Sequence, residues 1–275
     1  MILADVHTHT SYGHGKNSVS EMFAAGLAKG LRLHGFSEHS PRPQGYDYPV
    51  EYRERLEANY DRYIAEVQAL QSAPPGGGVS VLLGVELDWI EDQPDFMRGV
   101  LATHSYDYVL GGIHFLGRWG FDGAAGDWDK LSVADKEKLY ESYYLTMVKM
   151  ANSGLFNIVA HPDLIKLFSQ PDFDNWLYKP ASRDVIRGAL SAVRDAGMAM
   201  EVSSAGLRKP CREIYPGPLV MNLAAELRVP ISFGSDGHCV NTLAADFDLL
   251  AAHAAGFGYT EHLVFRKGDV LRFTF

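Results

Sequence analysis

Ile2-Leu3-Ala4-Asp5-Val6-His7-Thr8-His9, the stretch from residue 2 to residue 9, joins a short apolar run to two histidines. The apolar run is typical of a buried β-strand. Side chains two residues apart in an extended backbone point the same way, so His7 and His9 can reach one ion from the strand end. His14 follows in a glycine-rich loop that can bring it to the same place. The start of the chain therefore predicts a strand whose end carries metal ligands.

An apolar strand, a polar residue at its end and then a helix recur about seven times along the chain. The first helix has a clear start, because Ser18-Val19-Ser20-Glu21 has the form of a capping box. Alternating strands and helices imply a parallel sheet in an α/β fold. We favour a barrel similar to a TIM barrel, since polar residues stand at the end of nearly every strand, where barrels gather their active sites. An open doubly wound sheet is the alternative.

Length and composition limit the class of protein. The 275 residues are 47% hydrophobic, which suits one large domain or two small ones. Residues 74–78 are rich in proline and glycine, but the same alternation resumes after them. We therefore predict a connector there and one domain over residues 1–275.

The apolar stretches, the cysteine count and the net charge indicate the expected location and partners of the protein. No apolar stretch is long enough to span a bilayer, and no signal peptide is evident. Two cysteines are too few for a disulfide framework, so a cytoplasmic location is expected. The net charge of −9 argues against partners such as nucleic acid or anionic membranes. Oligomeric state is not predicted.

Six of the seven predicted strand ends carry a residue type that binds metal ions, and the first loop adds one more. One catalytic zinc usually needs three protein ligands, so the whole set suffices for two or three divalent ions. Imidazole and carboxylate ligands together suit zinc, manganese or iron. The candidate metal ligands are His7, His9, His14, His39, Glu86, His114, His161, Asp236 and His238.

A metal cluster of this kind suggests hydrolysis, because neighbouring ions lower the pKa of a shared water and stabilise developing charge. No glycine-rich nucleotide loop is present to suggest another chemistry. The sixth predicted strand lacks a histidine but leads into Ser203, Arg208 and Lys209. Arg208 can bind an oxyanion in bidentate fashion, Lys209 can supply a point charge, and Lys166 can reach the same site. This basic cluster in an acidic protein predicts a phosphate-bearing substrate.

Six short motifs occur in order along the chain: Asp5-Val6-His7-Thr8-His9, Glu38-His39, Gly84-Val85-Glu86, Gly112-Ile113-His114, Ala160-His161-Pro162 and Ser235-Asp236-Gly237-His238. In this order they resemble the successive motifs of the PHP (polymerase and histidinol phosphatase) superfamily, over nearly the whole chain. The resemblance implies a distorted (β/α)7 barrel, similar to a TIM barrel, with a trinuclear metal site at the C-terminal ends of the strands.

The resemblance also implies how three ions would share the nine ligands. One ion would take His7, His9, Glu86 and Asp236; a second would take Glu86, His114 and His161; the third would take His14, His39 and His238. The expected reaction is attack of a metal-bound hydroxide on phosphorus, with Glu86, Asp236 and His238 as catalytic residues. We expect Asp236 and His238 to manage protons near the leaving group. Arg208, Lys209, Ser203 and Lys166 are the expected substrate-binding residues.

The loops after the predicted strands resemble one branch of the superfamily, the histidinol phosphatases. They are residues 36–41, residues 161–166 and the stretch from Glu201 to Pro216. The branch implies a metal-dependent phosphomonoesterase that converts L-histidinol phosphate to L-histidinol and phosphate in histidine biosynthesis. The alternative is a PHP phosphoesterase that acts on another small phosphate ester or on nucleotides and oligonucleotides.

Some residues near the predicted site allow two interpretations. Asp5 is expected to hydrogen-bond a ligating histidine, and a structural role is the alternative. Residues 115–130 are expected to form a long loop over the site, in which Trp119, Phe121 and Trp128 shield the substrate or pack only on one another. Cys239 is expected to be inert. The remaining histidines are expected in the core or on the surface: His34, His104, His253 and His262.

Overall fold

The computed structural model describes residues 1–46, 50–76 and 78–275. Its β-strands are β1 (Ala4–Asp5), β2 (Leu33–Phe36), β3 (Ser80–Asp88), β4 (Tyr108–Gly112), β5 (Phe115–Leu116), β6 (Trp119–Gly120), β7 (Ile158–Val159), β8 (Ala199–Ser203), β9 (Ile231–Gly234), β10 (Glu261–Arg266) and β11 (Asp269–Thr274). Gly77, in the predicted connector, lies outside the described residues.

The α-helices alternate with these strands and cover the outside of the sheet. They are α1 (Val19–Ala28), α2 (Val50–Ser72), α3 (Pro94–Thr103), α4 (Ala125–Trp128), α5 (Val133–Asn152), α6 (Gln170–Leu177), α7 (Pro180–Asp195), α8 (Pro218–Glu226) and α9 (Phe247–Gly256). The capping box predicted for the first helix is present, with the Ser18 and Glu21 side chains each bonded to the backbone of the other.

Seven strands form one parallel sheet in the order β1-β2-β3-β4-β7-β8-β9. The two end strands approach each other, because Val6 N donates to Phe233 O at 3.3 Å and His9 N donates to Gly237 O at 2.9 Å. The sheet is therefore a nearly closed barrel flanked by helices, and the barrel prediction is confirmed over the open doubly wound sheet.

The barrel interior is a compact apolar cluster distinct from the core under the helices. Small and branched side chains from the strands, such as Ala4, Val6 and Ile158, meet the ring of Tyr108 inside the barrel. Three residues of β10, Leu263, Val264 and Phe265, belong to the same cluster. The second cluster packs the helices against the outer faces of the strands.

A C-terminal hairpin, β10 with β11, closes the amino-terminal end of the barrel. Ser232, at the start of β9, donates its hydroxyl to Leu263 O at 2.9 Å. Lys267 N, in the hairpin turn, donates to the carbonyl of Asp107, which immediately precedes β4. The hairpin therefore lies at the end opposite the strand ends that carry the predicted metal ligands.

Residues 115–130 are more ordered than the long loop that the sequence predicts. They contain the two-stranded ladder of β5 with β6 and the short helix α4. Phe121 and Trp128 are fully buried, and the Trp128 ring lies beside that of Tyr140 in α5. The segment thus packs on itself and on α5. In the part of the chain that the structure describes, every helix is too short or too polar to cross a membrane.

Candidate metal centre

The candidate ligands converge at the carboxyl ends of the strands. His7 and His9 follow β1, His39 follows β2, and Glu86 lies in the second half of β3. His114, His161 and the pair Asp236 and His238 follow β4, β7 and β9. Because parallel strands end at the same rim of a barrel, residues far apart in the sequence meet there.

Glu86 lies at the middle of the cluster. Its Oε2 atom is 3.2 Å from His7 Nε2, 3.4 Å from His9 Nε2 and 3.1 Å from His39 Nδ1. Its Oε1 atom is 3.0 Å from His161 Nε2 and 3.5 Å from His114 Nε2. One buried carboxylate therefore faces five imidazoles and can bridge two ions.

The second carboxylate, Asp236, serves the other side of the cluster. Its Oδ1 atom is 3.2 Å from His9 Nε2 and 3.7 Å from His7 Nε2. The ring of His14 joins this side, with its centre 4.1 Å from that of His238 and 5.2 Å from that of His39. The structure thus brings together all nine side chains named from the sequence.

Several imidazole nitrogens that face the middle of the cluster lack a hydrogen-bond partner. The buried Nε2 atoms of His7, His9 and His238 and the Nδ1 atom of His39 have no hydrogen-bond partner. Buried polar atoms are rarely left unpaired. Four groups of three residues have ligand atoms within 4.8 Å of one another: His9, His39 and His238; His7, Glu86 and His161; His7, His9 and Asp236; and His39, Glu86 and His114. The donor set fits divalent cations held by imidazole and carboxylate.

Oxygen atoms behind the rings hold the imidazoles in place. Glu201 accepts from His7 Nδ1 at 2.7 Å, Glu38 from His9 Nδ1 at 3.1 Å, and Asp88 from His114 Nδ1 at 2.5 Å. His238 Nδ1 donates to Asp236 O at 2.9 Å, and the Tyr52 hydroxyl lies 2.7 Å from His14 Nδ1. A proton held on Nδ1 leaves the lone pair of Nε2 facing the centre, as metal sites require.

The charges of the cluster also favour cations. Burial would raise the pKa of Glu86, but His39 and His7 hold it well below its ordinary value. Burial lowers the pKa of His9 and His114, but Asp236 and Glu38 beside His9, and Asp88 beside His114, raise each to about 9. A divalent cation that replaces these protons is stabilised by the same carboxylates, so its affinity should rise with pH.

Two candidate ligands have an unusual backbone. His161 has a φ of 27° and Asp236 has a φ of 48°, in the left-handed region that non-glycine residues rarely adopt. Hydrogen bonds compensate for this conformation at His161, where its N–H donates to Glu201 Oε2 at 2.7 Å. Strain of this kind concentrates at functional sites.

A cavity of about 400 Å³ opens directly above the cluster. Besides candidate metal ligands, its walls carry Arg42, Tyr52, Asp122, Leu164, Lys209 and Tyr215. The volume suits a small molecule. The sequence interpretation missed Arg42 and Asp122. Arg42 carried a usable signal, since it lies three residues after the strand-end histidine His39 in a proline-rich loop.

The four expected substrate-binding residues have different positions. Lys209 lines the cavity. Lys166 is fully buried elsewhere, where Nζ donates to Asp163 at 2.7 Å, to Glu213 at 2.6 Å and to Ile214 O at 3.2 Å. An ammonium has three donors, and these partners use all of them. A direct contact between Lys166 and substrate is therefore not supported.

Ser203 and Arg208 also lie outside the cavity lining. The Ser203 hydroxyl is buried and accepts from Ala205 N. Arg208 donates to Ser235 O at 2.6 Å and to Ser204 O at 3.3 Å, and so binds two loops together. These residues satisfy local backbone groups, so their expected contact with the phosphate is not supported by a place in the cavity wall.

Asp5 has the structural role. Its carboxylate accepts from the backbone N–H groups of His7, Ser235 and Ala244, and from the Ser235 hydroxyl at 2.6 Å. Its expected contact with an imidazole is replaced by bonds that fix the loops carrying the ligands. Burial raises the pKa of this carboxyl, and the Ser235 hydrogen bonds oppose the rise.

The remaining histidines and the nearby cysteine stay outside the four groups that could hold an ion, among the residues that the structure describes. His34 and His262 are buried in the core, His104 pairs with Asp61, and His253 Nε2 donates to Pro216 O. The Cys239 thiol contacts the Thr242 hydroxyl at 3.4 Å.

A family model described as "PHP domain" matches residues 5–205. The chain belongs to the PHP domain family. This PHP-domain protein is 38% identical over 242 residues to a "Probable histidinol-phosphatase" of Deinococcus radiodurans, with 86% of each chain covered. It is 28% identical over 256 residues to the "Histidinol-phosphatase" of Bacillus subtilis, with 85% of this chain and 92% of the relative covered.

Two solved structures have the same fold as this PHP-domain protein. One, from Listeria monocytogenes, superposes with a TM-score of 0.80 at 22% identity and covers 90% of this chain and 99% of its own. The other is a histidinol phosphate phosphatase from Lactococcus lactis "complexed with ZN, L-histidinol and phosphate". It has a TM-score of 0.75 at 18% identity, with 98% of both chains covered.

Proposed function

We propose that this PHP-domain protein hydrolyses L-histidinol phosphate to L-histidinol and phosphate. The observation that carries the proposal is the convergence of seven imidazoles and two carboxylates beneath a cavity with cationic wall residues. The names of its relatives supply the substrate. Two of them are described as histidinol-phosphatases, and the Lactococcus structure was solved with both products of that reaction.

The nine clustered residues would hold two or three divalent ions. Zinc has direct support, since the Lactococcus relative binds it, and manganese and iron fit the same ligands. The bound ions would lower the pKa of a water and neutralise the phosphate charge. The family pattern assigns His39 to a third ion, whereas the geometry also groups it with Glu86 and His114. We propose that His39 would hold one of these ions, since a neutral imidazole has one lone pair to donate.

The chain's own groups would bind the ester and handle protons. Lys209 and the guanidinium of Arg42 lie in the cavity wall, where each can donate to phosphate oxygens. Arg42 is held in place by Asp88, which accepts from its Nε atom. We propose that these two cations bind the phosphate in the place first expected for Arg208 and Lys166.

Asp236 would accept a proton rather than donate one, and His238 would serve as a ligand. Burial would raise the pKa of Asp236, but the charge of His238 and the hydrogen bond from His9 hold it well below its ordinary value. His238 keeps its proton on Nδ1, which donates to Asp236 O, so its Nε2 atom carries a lone pair. That lone pair would hold an ion, so the carboxylate of Asp236, which has a second oxygen, is the acceptor for the proton of an attacking water.

A substrate panel with metal analysis tests the proposed function. Phosphate release is measured from L-histidinol phosphate, glycerol phosphate, a nucleoside monophosphate and an oligonucleotide. We expect kcat/KM for L-histidinol phosphate to exceed the others by on the order of 100-fold or more, because a site that pairs polar groups rejects esters lacking them. Equal or faster turnover of a nucleotide would overturn the assignment and favour a nucleotide phosphoesterase. Absence of nucleic-acid partners and a cytoplasmic location stay predictions.

A replacement in the cluster, paired with one on the surface as its control, tests the role of the metal ligands. Glu86→Gln keeps the size of the side chain but removes the charge that faces five imidazoles, so phosphate release should fall to background for every ester. Glu91→Gln, on the surface beside Lys149, should leave release unchanged.

A further inference from the structure

Asp122 is an acidic wall residue to which neither the metal cluster nor phosphate binding assigns a role. It lines the cavity together with His114, Leu164 and Tyr215. Among the described residues that line this cavity, it is the carboxylate that lies outside the candidate metal ligands. A carboxylate in this wall repels phosphate and attracts a cationic group on the ligand.

The backbone immediately before Asp122 is anchored. Phe121 N donates to His114 O at 3.2 Å, and the indole N–H of Trp128 donates to Phe121 O at 2.7 Å. The Phe121 ring is fully buried and packs edge-on against Tyr143 of α5. The segment is therefore a fixed support that holds one carboxylate at the cavity, as selective binding requires.

The proposed substrate carries the matching group. L-Histidinol phosphate has a primary ammonium on the carbon next to the one that bears the ester oxygen. With the phosphate beside the metal cluster and the cations Arg42 and Lys209, the ammonium must lie within a few ångströms of the phosphate. Asp122 occupies the same cavity wall as the cluster ligand His114.

We propose that Asp122 binds the ammonium of L-histidinol phosphate and so determines the specificity for an amino alcohol phosphate. This inference rests on the proposed function. A carboxylate offers about four acceptor positions, so a neighbouring contact still leaves room for the ammonium. The ammonium is unchanged by the reaction, so this interaction strengthens binding of substrate and transition state equally.

The test compares two substrates and two variants. The substrates are L-histidinol phosphate and the imidazolylpropyl phosphate that lacks only the amino group. Asp122→Asn keeps the shape of the side chain and removes its charge. Asp127→Asn, which removes a surface charge paired with Lys130 in the same segment, is the matched control. Metal content is measured for every sample.

For Asp122→Asn we expect KM for L-histidinol phosphate to rise about 10- to 100-fold with kcat nearly unchanged, the range of a lost charged hydrogen bond. The same variant should hydrolyse the analogue with the KM and kcat of the wild type. Asp127→Asn should have the KM and kcat of the wild type for both esters. The wild type should prefer L-histidinol phosphate over the analogue by a similar factor.

Two results would overturn the assignment of Asp122. One is an equal loss on both substrates, which would place its effect on the cluster or on folding. The other is a wild type that hydrolyses both esters with the same kcat/KM. Failure of the proposed function looks different, because the wild type would then release phosphate from L-histidinol phosphate no faster than from glycerol phosphate.

Discussion

At the scale of the residue, buried acids behind the imidazoles distinguish this site from a chance group of histidines. Glu201 is fully buried and joins two elements, since it accepts from the His7 ring and from the backbone N–H of His161. It contacts no atom that would bind a cation directly. Its role is to orient ligands and to raise their basicity.

Replacing Glu201 with Gln should therefore weaken metal binding by about 10- to 100-fold while turnover at saturating metal recovers substantially. The measurement is phosphate release as a function of buffered free zinc. Glu141→Gln, on the exposed surface of α5, is the control and should behave as the wild type. An unchanged zinc concentration at half activity would show that Glu201 does not support the ligands.

Lys209 and Arg208 are adjacent but should differ in effect. Lys209→Met should raise KM for L-histidinol phosphate about 10-fold with a small change in kcat, because a phosphate contact is lost from the cavity wall. Arg208→Met should mainly lower the free energy of unfolding, by about 1–3 kcal/mol, because carbonyls of two loops lose their donor. Steady-state kinetics and urea unfolding separate the two effects. The opposite pattern would restore Arg208 as the phosphate ligand.

Glu38 makes the stability of the metal-free protein depend on pH. Burial would raise its pKa, but the hydrogen bond from His9, the charge on that ring and the N–H of Thr10 lower it to about 2, from 4.5. An acid with a depressed folded-state pKa stabilises the protein above its unfolded value and loses that contribution as the pH falls.

The wild type should therefore be more stable than Glu38→Gln at neutral pH, and the difference should shrink as the pH falls below about 5. Urea unfolding of both proteins in chelator between about pH 4 and pH 7 measures the difference. A difference independent of pH would show that the charge of Glu38 does not contribute.

The sequence predicted ligand residues better than the residues that support them. A histidine at a strand end carries a recognisable signal, because strand ends of a barrel meet. The supporting acids Glu201 and Asp88 lie inside apolar strands, where a lone charge is itself a signal that a partner exists. The identity of that partner depends on the geometry of the barrel, which one sequence does not specify. For Lys166 the sequence was misleading. Its closeness to His161 in the sequence suggested a contact with substrate, whereas its ammonium donates to Asp163 and Glu213.

At the scale of the element, the alternation predicted the barrel strands and most of the helices. Helix α7 begins at Pro180, and Ser182 is buried within it. The C-terminal residues, which include the apolar triplet Leu263-Val264-Phe265, form the β10–β11 hairpin, and the alternation did not predict it. That apolar triplet finds its partners only when the barrel is closed, so local pattern could not assign it.

The hairpin predicts a large stability effect far from the site. Leu263→Ala should lower the free energy of unfolding by about 2–4 kcal/mol, because a buried side chain inside the barrel is truncated. Val270→Ala, in the partner strand and about half exposed, should change it by less than about 0.5 kcal/mol. Urea unfolding measures both. Equal effects would show that the hairpin does not complete the barrel core.

At the scale of the whole molecule, barrel closure makes the metal centre possible. The bonds between the residues after β1 and after β9 bring His7 and His9 against Asp236, although more than two hundred positions separate them in the sequence. The resemblance to the PHP superfamily predicted that these three residues bind the same ion. The alternation of strands and helices alone predicted a parallel α/β fold with two possible architectures. The single domain over residues 1–275 stays a prediction.

The most direct test of the account is the metal content of the purified chain together with its activity after exhaustive chelation. We predict two or three divalent ions per chain, with phosphate release lost on their removal and regained when zinc or manganese is returned. Full phosphate release from a sample shown to hold no stoichiometric metal would contradict the central claim that these nine side chains form a metal centre for phosphate ester hydrolysis.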